Sequence, residues 1–348
     1  MKEKKLLGIT SCEKLSNDKI VFWVKNTNRV FLYDLKKKES IRYIEIDDCD
    51  VRTTTFFGST LLDETLVLAP YRDRKMPFCN LATGKTKWFD IGDSDDRDQW
   101  NAYKCIIDYK DKLFLLGDSY VIKVYDKNKE SISCIDVPNR MYIYRDVCRV
   151  NDTVIVPLID TGGKRRSVLE LDLKDENYNV YNDICTNMDI ATICYCDGHY
   201  WMSGNEKMIV RWNKENNSIT EVDVTGYCDG IIDEFDSYYS SSVTYGKTIL
   251  FSPINAKAIL KLDTDTLSME NMFCFDKDEG VWKFYRVNDC YLYFQVENIK
   301  KNESLEDFLI DFDGNVIQKE LVVGIVDNSL IYETRIMSIR EFVNQVVG

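Results

Sequence analysis

The chain has 348 residues, of which 45% are hydrophobic and 12% aromatic, so it can bury a large core. Its formal net charge of −13 argues against a general nucleic-acid or anionic-membrane binder, because proteins that follow phosphates are usually basic. No apolar run approaches the ~18 residues that a membrane helix needs. The 21 Tyr and 16 Phe beside only 5 Pro favour pleated strands. We therefore expect a β-rich protein that binds neither nucleic acid nor a membrane.

The N-terminal segment has three lysines before a short apolar run, residues 6–9, and residues 9–12 superficially resemble a bacterial lipoprotein cleavage box. This run is far shorter than the roughly 7–15 apolar residues of a signal sequence, so it predicts a first strand instead. The 12 cysteines are scattered singly, mostly inside apolar strands such as that of Cys79. Free thiols suit a reducing compartment, so we predict a cytoplasmic protein, with export as the alternative. The abundance of Lys, Asn, Ile and Tyr favours an AT-rich bacterial source.

One short motif recurs along the chain: an apolar run that ends in Asp or Asn. Its seven positions lie 41 to 50 residues apart and are Asp34, Asn80, Asp126, Asp172, Asn213, Asp263 and Asp311. Each is followed by a polar turn and another strand. Asp or Asn at a strand end caps a turn by bonding to the backbone two residues on. The repeat is therefore explained by turn chemistry and needs no functional reason.

A further strand opens each repeat, as at residues 144–150 and 282–287. Four strands in ~40–50 residues is the period of a propeller blade. We predict an all-β fold, a seven-bladed β-propeller of four-stranded antiparallel blades over residues 1–336. Two β-sandwiches are the alternative, although they would not require a constant period.

The C-terminal residues show a different, helical pattern. Ser338 and Glu341 form a capping box, and an apolar stripe follows at Ile339, Phe342, Val343 and Val346. The pattern predicts a short amphipathic helix over residues 337–348 that packs on the propeller. The alternative is an anchor for a groove of a partner protein.

The period and the strand pattern resemble those of WD-repeat and kelch propellers over nearly the whole chain. The Gly-His and Trp-Asp dipeptides of WD repeats do not recur, and Gly162-Gly163 is a single case of paired glycines. The resemblance implies a propeller fold. It also implies a platform for protein partners, although other propellers are enzymes.

The innermost strands of a propeller line its central channel, and their hairpin turns align their entrances. The alignment places six residues at one level: Phe57, Lys104, Arg145, Ala191, Ser240 and Trp282. Around this level we predict a binding site formed by Trp100, Lys104, Tyr144, Arg145, Tyr239, Trp282 and Lys283. Cations among aromatic rings suit an acidic peptide or an anionic or sugar-like ligand. The alternative is that Lys104 and Arg145 merely neutralise Asp98 and Asp146.

Two sets of loops open on the face that carries this mouth, and their charges differ. The blade-to-blade loops are acidic, at residues 47–50, 93–98, 229–236 and 276–279, and the hairpin loops are basic, at residues 72–75, 164–166 and 300–301. The pattern favours a mixed-charge binding face. Ordinary solvated loops are the alternative, because such loops are usually charged.

Catalytic motifs do not emerge from the sequence. The single histidine, His199, opens a strand at a hairpin turn, and Cys194 and Cys196 share a strand face with no second pair at zinc spacing. No nucleotide-binding fingerprint occurs, so we predict no catalytic residue, metal or cofactor. We expect a monomeric, non-catalytic platform for a protein or peptide partner. An enzyme or small-ligand binder using the channel mouth is the alternative.

Overall fold

The structure is a computed structural model that describes residues 3–6, 8–24, 28–46, 55–71, 74–92, 103–228, 237–301, 303–319, 321 and 323–326. In these ranges the chain forms seven antiparallel blades and one two-stranded sheet. Each blade takes its strands consecutively from the chain, and in five of the blades neighbours in sequence are neighbours in the sheet. In the other two blades the first two short strands both pair with the strand that follows them. The predicted seven-bladed propeller is confirmed, and the pair of sandwiches is excluded. The predicted helix over residues 337–348 lies outside the described residues.

The chain enters the ring through β1 (Glu3–Leu6). Blade 1 consists of β2 (Ile9–Ser16), β3 (Lys19–Val24), β4 (Arg29–Asp34) and β5 (Glu39–Glu45). Blade 2 consists of β6 (Thr55–Leu62), β7 (Thr65–Tyr71), β8 (Lys75–Asn80) and β9 (Thr86–Asp90). Blade 3 consists of β10 (Tyr103–Tyr109), β11 (Lys112–Gly117), β12 (Val121–Asp126) and β13 (Ser131–Asp136). Blade 4 consists of β14 (Arg140–Met141), β15 (Cys148–Val150), β16 (Thr153–Ile159), β17 (Ser167–Asp172) and β18 (Asn177–Tyr181).

Blades 5 to 7 follow in the same order along the chain. Blade 5 consists of β19 (Ile190–Cys196), β20 (His199–Gly204), β21 (Met208–Asn213) and β22 (Ser218–Asp223). Blade 6 consists of β23 (Tyr239–Tyr245), β24 (Thr248–Pro253), β25 (Ala258–Asp263) and β26 (Met269–Cys274). Blade 7 consists of β27 (Glu279–Val281), β28 (Tyr285–Arg286), β29 (Tyr291–Asn298), β30 (Glu303–Asp311) and β31 (Val316–Lys319). A 3-10 turn at Thr225–Tyr227 lies between blades 5 and 6, and β32 (Val323–Val326) follows blade 7.

The recurring Asp or Asn residues end the third strand of every blade, as the sequence predicts. In blade 1 the Asp34 carboxylate accepts a hydrogen bond from the backbone nitrogen of Lys37 at 2.9 Å. In blade 3 Asp126 accepts two, from Asn128 at 3.0 Å and Lys129 at 2.9 Å. The other five make the same kind of bond two to four residues on. These turns set the length of each blade.

The core lies between the blades, because the middle strands send alternate side chains to opposite neighbours. Trp201 on β20 is 1% exposed and packs with Phe251 of blade 6. Trp212 on β21 is fully buried and packs with Ile155 of blade 4. Burial of one such side chain stabilises the fold by about 2–3 kcal/mol. Blade 5 thus holds both of its neighbours through the two tryptophans.

The ring closes between blades 1 and 7. The Phe22 and Tyr293 rings pack with their centroids 4.9 Å apart. The backbone nitrogen of Ile9 donates to Gln295 Oε1 at 2.9 Å. Strands β1 and β32 pair antiparallel above this contact, so a segment before the blades and a segment after them hold each other.

The innermost strands are irregular near their start in all seven described blades. In blades 1, 2, 3, 5 and 6 the pairing shifts at a β-bulge, which falls at Thr10, Phe57 with Gly58, Lys104, Ala191 and Ser240. In blades 4 and 7 the strand is broken, at residues 142–147 and 282–284. The prediction of continuous strands over 144–150 and 282–287 is therefore wrong at these two places. A bulge or break re-aims a side chain, and both kinds occur at one level of the channel.

Candidate functional site at the channel mouth

The bulges of blades 1, 2 and 3 and the breaks of blades 4 and 7 line a cavity near the start of the inner strands. We call this cavity of about 150 Å³ the channel mouth, and it is lined by Phe57, Lys104, Tyr144, Arg145, Trp282 and Glu297 among others. Lys283, Thr10 and Tyr285 complete much of its wall. Of the six residues that the alignment placed at one level, four line this cavity, namely Phe57, Lys104, Arg145 and Trp282, whereas Ala191 and Ser240 do not.

Arg145 belongs to blade 4, and its side chain extends across the mouth toward Trp282 of blade 7. Its guanidinium carbon is 4.0 Å from the Trp282 ring centroid, 5.6 Å from that of Phe57 and 5.8 Å from that of Tyr144. The Nε atom is buried with no hydrogen-bond partner, and no carboxylate of the described residues binds the guanidinium. Arg145 thus keeps its full charge between aromatic faces.

Lys104 has a different role, since its ammonium group is already bound. It donates to Asp118 Oδ2 at 2.6 Å and to the carbonyl oxygen of Ile143 at 2.8 Å. The other Asp118 oxygen accepts from the Ile143 backbone nitrogen at 2.9 Å. Burial lowers the pKa of Lys104, with Asp118 opposing the shift. The pair satisfies backbone groups that the break in blade 4 releases, and so supports the segment that carries Arg145.

Blade 6 supports the break in blade 7 in the same way, with hydroxyl groups. The Ser240 hydroxyl lies 2.8 Å from the carbonyl oxygens of both Val281 and Trp282. The Ser241 hydroxyl accepts from the Phe284 backbone nitrogen at 3.2 Å. The indole nitrogen of Trp282 then donates to Glu297 Oε2 at 3.0 Å, which fixes the ring.

The two broken segments touch each other across the channel. Besides the contact of Arg145 with Trp282, Lys283 Nζ lies 3.3 Å from Asp146 Oδ2. We call these four residues the axial bridge. Burial alone would lower the pKa of Lys283, but Asp146, the Cys105 thiol and Glu13 together raise it.

A second cavity of about 210 Å³, the lower chamber, continues the channel below the mouth. Glu13, Ser59, Asp146 and Lys283 line it, and Lys283 also lines the mouth. The Ser59 hydroxyl donates to Glu13 Oε1 at 2.6 Å. Burial raises the pKa of Glu13 to about 7, although Ser59 and Lys283 oppose the shift.

Two ion pairs link the charged loops around the mouth where these loops are described. Lys300 binds Asp278 at 2.7 Å, and Lys164 lies 3.8 Å from Asp189. Each pair joins a hairpin loop to a blade-to-blade segment. The acidic stretches 47–50, 93–98 and 229–236 lie outside the described residues. Within the described loops, the predicted segregation of charge thus produces ion pairs along the rim.

The predicted site residues fall into three groups. The first group lines the channel mouth and consists of Lys104, Tyr144, Arg145, Trp282 and Lys283. The second lies elsewhere in the fold, and the third lies outside the described residues.

Tyr239 lies elsewhere, because it is 1% exposed and packs on Phe251 between blades 5 and 6. Its neighbour Ser240 is also fully buried, and its hydroxyl bonds to the backbone of Val281 and Trp282, because successive side chains of a strand point to opposite faces. Trp100 and Asp98 lie outside the described residues. Sequence reasoning missed Glu297 and Glu13, because no motif in their strands indicates a site.

Other groups singled out from the sequence have structural partners. His199 Nδ1 lies 2.7 Å from the carbonyl oxygen of Asp197 at its hairpin turn. Cys194 and Cys196 face the same blade interface, as expected. No group of three or more His, Cys, Asp or Glu side chains in the described ranges is arranged to hold a metal ion.

Comparisons with known proteins support the architecture. No family model and no curated protein matches the chain. A crystal structure of the computationally designed Ika8 protein is similar, with a TM-score of 0.60 and 9% identity over 92% of this chain and 88% of the other. At this identity the likeness concerns the fold alone, and the resemblance to WD-repeat and kelch propellers extends no further. Across the described ranges, no helix has the length and apolarity to cross a bilayer.

Proposed function

We propose that the protein is a non-catalytic binding module whose loop face holds a protein or peptide partner, with one acidic side chain inserted into the channel mouth. The observation that carries the proposal is the Arg145 guanidinium, held 4.0 Å from the Trp282 ring centroid without a described carboxylate partner. Arginine binds carboxylates through two parallel hydrogen bonds. The surrounding rings restrict the guanidinium beforehand, which lowers the entropy lost on binding.

The balance of charge favours a single carboxylate over a phosphate. Lys104 is neutralised by Asp118, and Lys283 by Asp146. This leaves Arg145 as the available cation among the described residues of the mouth. A phosphate carries nearly two negative charges at pH 7, and the second would remain without a partner.

The size of the mouth favours a side chain over a free ligand. Pockets for drug-sized molecules usually occupy roughly 300–1,000 Å³. The mouth measures about 150 Å³. A Glu or Asp side chain that projects from a partner fits this space, while the partner's backbone remains on the loop face.

The cysteines support a reducing compartment, which we propose to be the cytoplasm. Those in the described ranges are free thiols, and several, such as Cys79 and Cys148, are buried in strands. Buried thiols of this kind act as small apolar side chains.

A titration with small probes tests the acidic-side-chain proposal. N-acetyl-glutamate amide and its neutral analogue N-acetyl-glutamine amide would be titrated into ¹⁵N-labelled protein and followed by NMR. A charge-assisted hydrogen bond is worth about 1.5–3 kcal/mol, so we expect at least a ~10-fold preference for the acid. Arg145→Gln removes that preference. Arg149→Gln, an exposed site in the same blade, makes the same charge change and retains the preference.

Equal binding of the two probes by the wild-type protein would contradict the proposal. An unchanged preference in Arg145→Gln would also contradict it.

Selection of random peptides on the wild-type protein extends the test to a partner. We expect enriched peptides to share an Asp or Glu and to lose binding to Arg145→Gln.

A free anionic ligand is the second candidate, because the lower chamber continues the mouth and shares Lys283 with it. A free dicarboxylate could occupy both cavities. Glutarate distinguishes the two cases. Affinity more than tenfold above that of N-acetyl-glutamate amide would favour the free ligand.

A further inference from the structure

Glu13 occupies an unusual position in the lower chamber. Its carboxylate accepts a hydrogen bond from Ser59 at 2.6 Å, and no described cation lies within salt-bridge distance of it. The nearest candidate, Lys283, binds Asp146 instead. A carboxylate enclosed in a channel without an ion pair is destabilised in its charged form.

Several charged or titratable groups share the chamber with Glu13 and determine its response to pH. They are Lys283, Tyr285 and Arg286 of blade 7, Asp146 of blade 4, Lys104 and Cys105 of blade 3, and Cys12 on its own strand. Burial raises the pKa of both thiols, that of Cys105 to about 12, so they remain neutral between pH 6 and 8.5. Arginine keeps its charge throughout this range, and the raised pKa of Lys283 keeps that ammonium charged as well.

We infer that an acidic group can bind at Arg145 most tightly when Glu13 takes up a proton, so that recognition at the mouth is coupled to protonation of the lower chamber. This inference rests on the proposed function. Both cavities belong to one channel, and Lys283 lies in the wall of each. An incoming carboxylate at Arg145 and the ionised Glu13 carboxylate therefore repel each other within one channel, whose single shared ammonium group is already bound to Asp146.

The free protein is poised for such coupling near neutral pH, since burial raises the pKa of Glu13 to about 7. By linkage, a bound anion that disfavours ionised Glu13 raises this pKa further. An increase of about one unit means uptake of roughly half a proton on binding at pH 7.5. The acidic probe itself stays ionised, because its pKa lies near 4.3.

The test measures the affinity for N-acetyl-glutamate amide between pH 6 and 8.5. In the wild-type protein we expect it to fall by roughly five- to tenfold as Glu13 ionises. Glu13→Gln keeps the hydrogen bond from Ser59 but cannot ionise, so its affinity should stay constant and match the low-pH value. Glu64→Gln changes an exposed carboxylate and should leave the wild-type pH dependence intact.

A wild-type affinity that is flat over this range would overturn the inference, while binding itself still supported the proposed function. The same fall in Glu13→Gln would also overturn it and would assign the effect to another group, such as Lys104. Absence of any probe binding to the wild-type protein would contradict both the proposed function and the coupling to Glu13. Independently of any ligand, the Glu13 carboxyl carbon should titrate near pH 7 by ¹³C NMR, and a midpoint near 4.5 would exclude the coupling.

Discussion

Blades 1, 2, 3, 5 and 6 begin with an unbroken inner strand, whereas blades 4 and 7 begin with one that is interrupted at residues 142–147 and 282–284. The unbroken strands bond to their own blade and carry a bulge near their start, with a second register shift in blade 1. The broken strands lose part of that pairing and instead meet across the channel, where Arg145 contacts Trp282. Charged and aromatic residues of the channel mouth, such as Arg145 and Trp282, therefore lie at the two breaks.

A regular scaffold can tolerate such a site when side chains replace the backbone pairing that is lost. In both cases the preceding blade supplies side chains for the released backbone groups: Asp118 and Lys104 for blade 4, and Ser240 and Ser241 for blade 7. Buried backbone groups need partners, so these substitutes are required for folding. The proposed binding residue, Arg145, is not among the side chains that bond to these backbone groups. Stability and recognition should therefore be separable by mutation.

The largest effect is expected from Asp118→Ala, which tests the support of blade 4. The change leaves the largely buried Lys104 ammonium and the Ile143 backbone nitrogen without this partner. We expect the free energy of unfolding to fall by about 3 kcal/mol, measured by urea denaturation. Asp175→Ala, at an exposed turn, should change it by less than about 0.5 kcal/mol. Similar values for the two variants would show that the break does not need its substitute partner.

Gly58→Ala tests the close contact of blades 2 and 3 at the bulge beside Phe57. A Cβ atom there would lie 2.3 Å from the carbonyl oxygen of Lys104, so the backbones must separate. We expect a loss of about 2–3 kcal/mol by urea denaturation. Gly226→Ala meets nothing within 4 Å and serves as the control. A neutral Gly58→Ala would mean that the channel wall is looser than described.

Glu13→Gln tests the unpaired carboxylate of the channel. The pKa of Glu13 is raised from 4.5 to about 7, so the stability that it contributes is full below pH 4.5 and is lost as the pH rises through 7. The variant should match the wild type at about pH 4 and exceed it by about 2 kcal/mol at about pH 8.5, after allowance for partial solvent access. Denaturation at both pH values measures the difference. Equal stability at pH 8.5 would contradict the account.

Arg145→Met tests the separation of binding from folding. The variant replaces a guanidinium whose Nε has no partner by an apolar chain of similar length. We expect the free energy of unfolding to stay constant or rise by up to about 1 kcal/mol, while the preference for N-acetyl-glutamate amide disappears. A clear loss of stability would instead identify Arg145 as a structural residue.

The smallest effect is expected at the rim. Lys300 binds Asp278 at 2.7 Å, but its side chain is 69% exposed. Lys300→Ala should change the free energy of unfolding by less than about 0.5 kcal/mol and leave probe binding intact. A fall in probe affinity above about threefold would show that the rim charges take part in recognition.

Local features of the sequence predict most of the fold. The Asp and Asn residues that end each third strand act within two to four residues, so their spacing reveals the blades without knowledge of the tertiary contacts. The breaks could not be predicted in this way. Ile143 is held by Asp118, and Trp282 by Ser240, across 25 and 42 positions of the chain. The segments themselves have the composition of strands.

The same distinction applies to the site. Five of its residues could be predicted because equivalent positions of consecutive blades reach the same level. Tyr239 shows the limit, since a shift of one residue in a strand moves a side chain from the channel to the blade interface. The partner of Lys104 is Asp118, on the neighbouring strand's loop, where the sequence suggested Asp98. Pairing between side chains depends on folded distances that no repeat alignment contains.

A crystal structure of the protein with N-acetyl-glutamate amide would show whether Arg145 binds a carboxylate in the channel mouth. We predict the probe carboxylate about 2.8 Å from the guanidinium nitrogens of Arg145, between the Trp282 and Phe57 rings. Lys104 should remain on Asp118, and Lys283 in the channel wall. A probe bound away from the mouth, or an Arg145 side chain that pairs with a carboxylate of its own chain, would contradict the account.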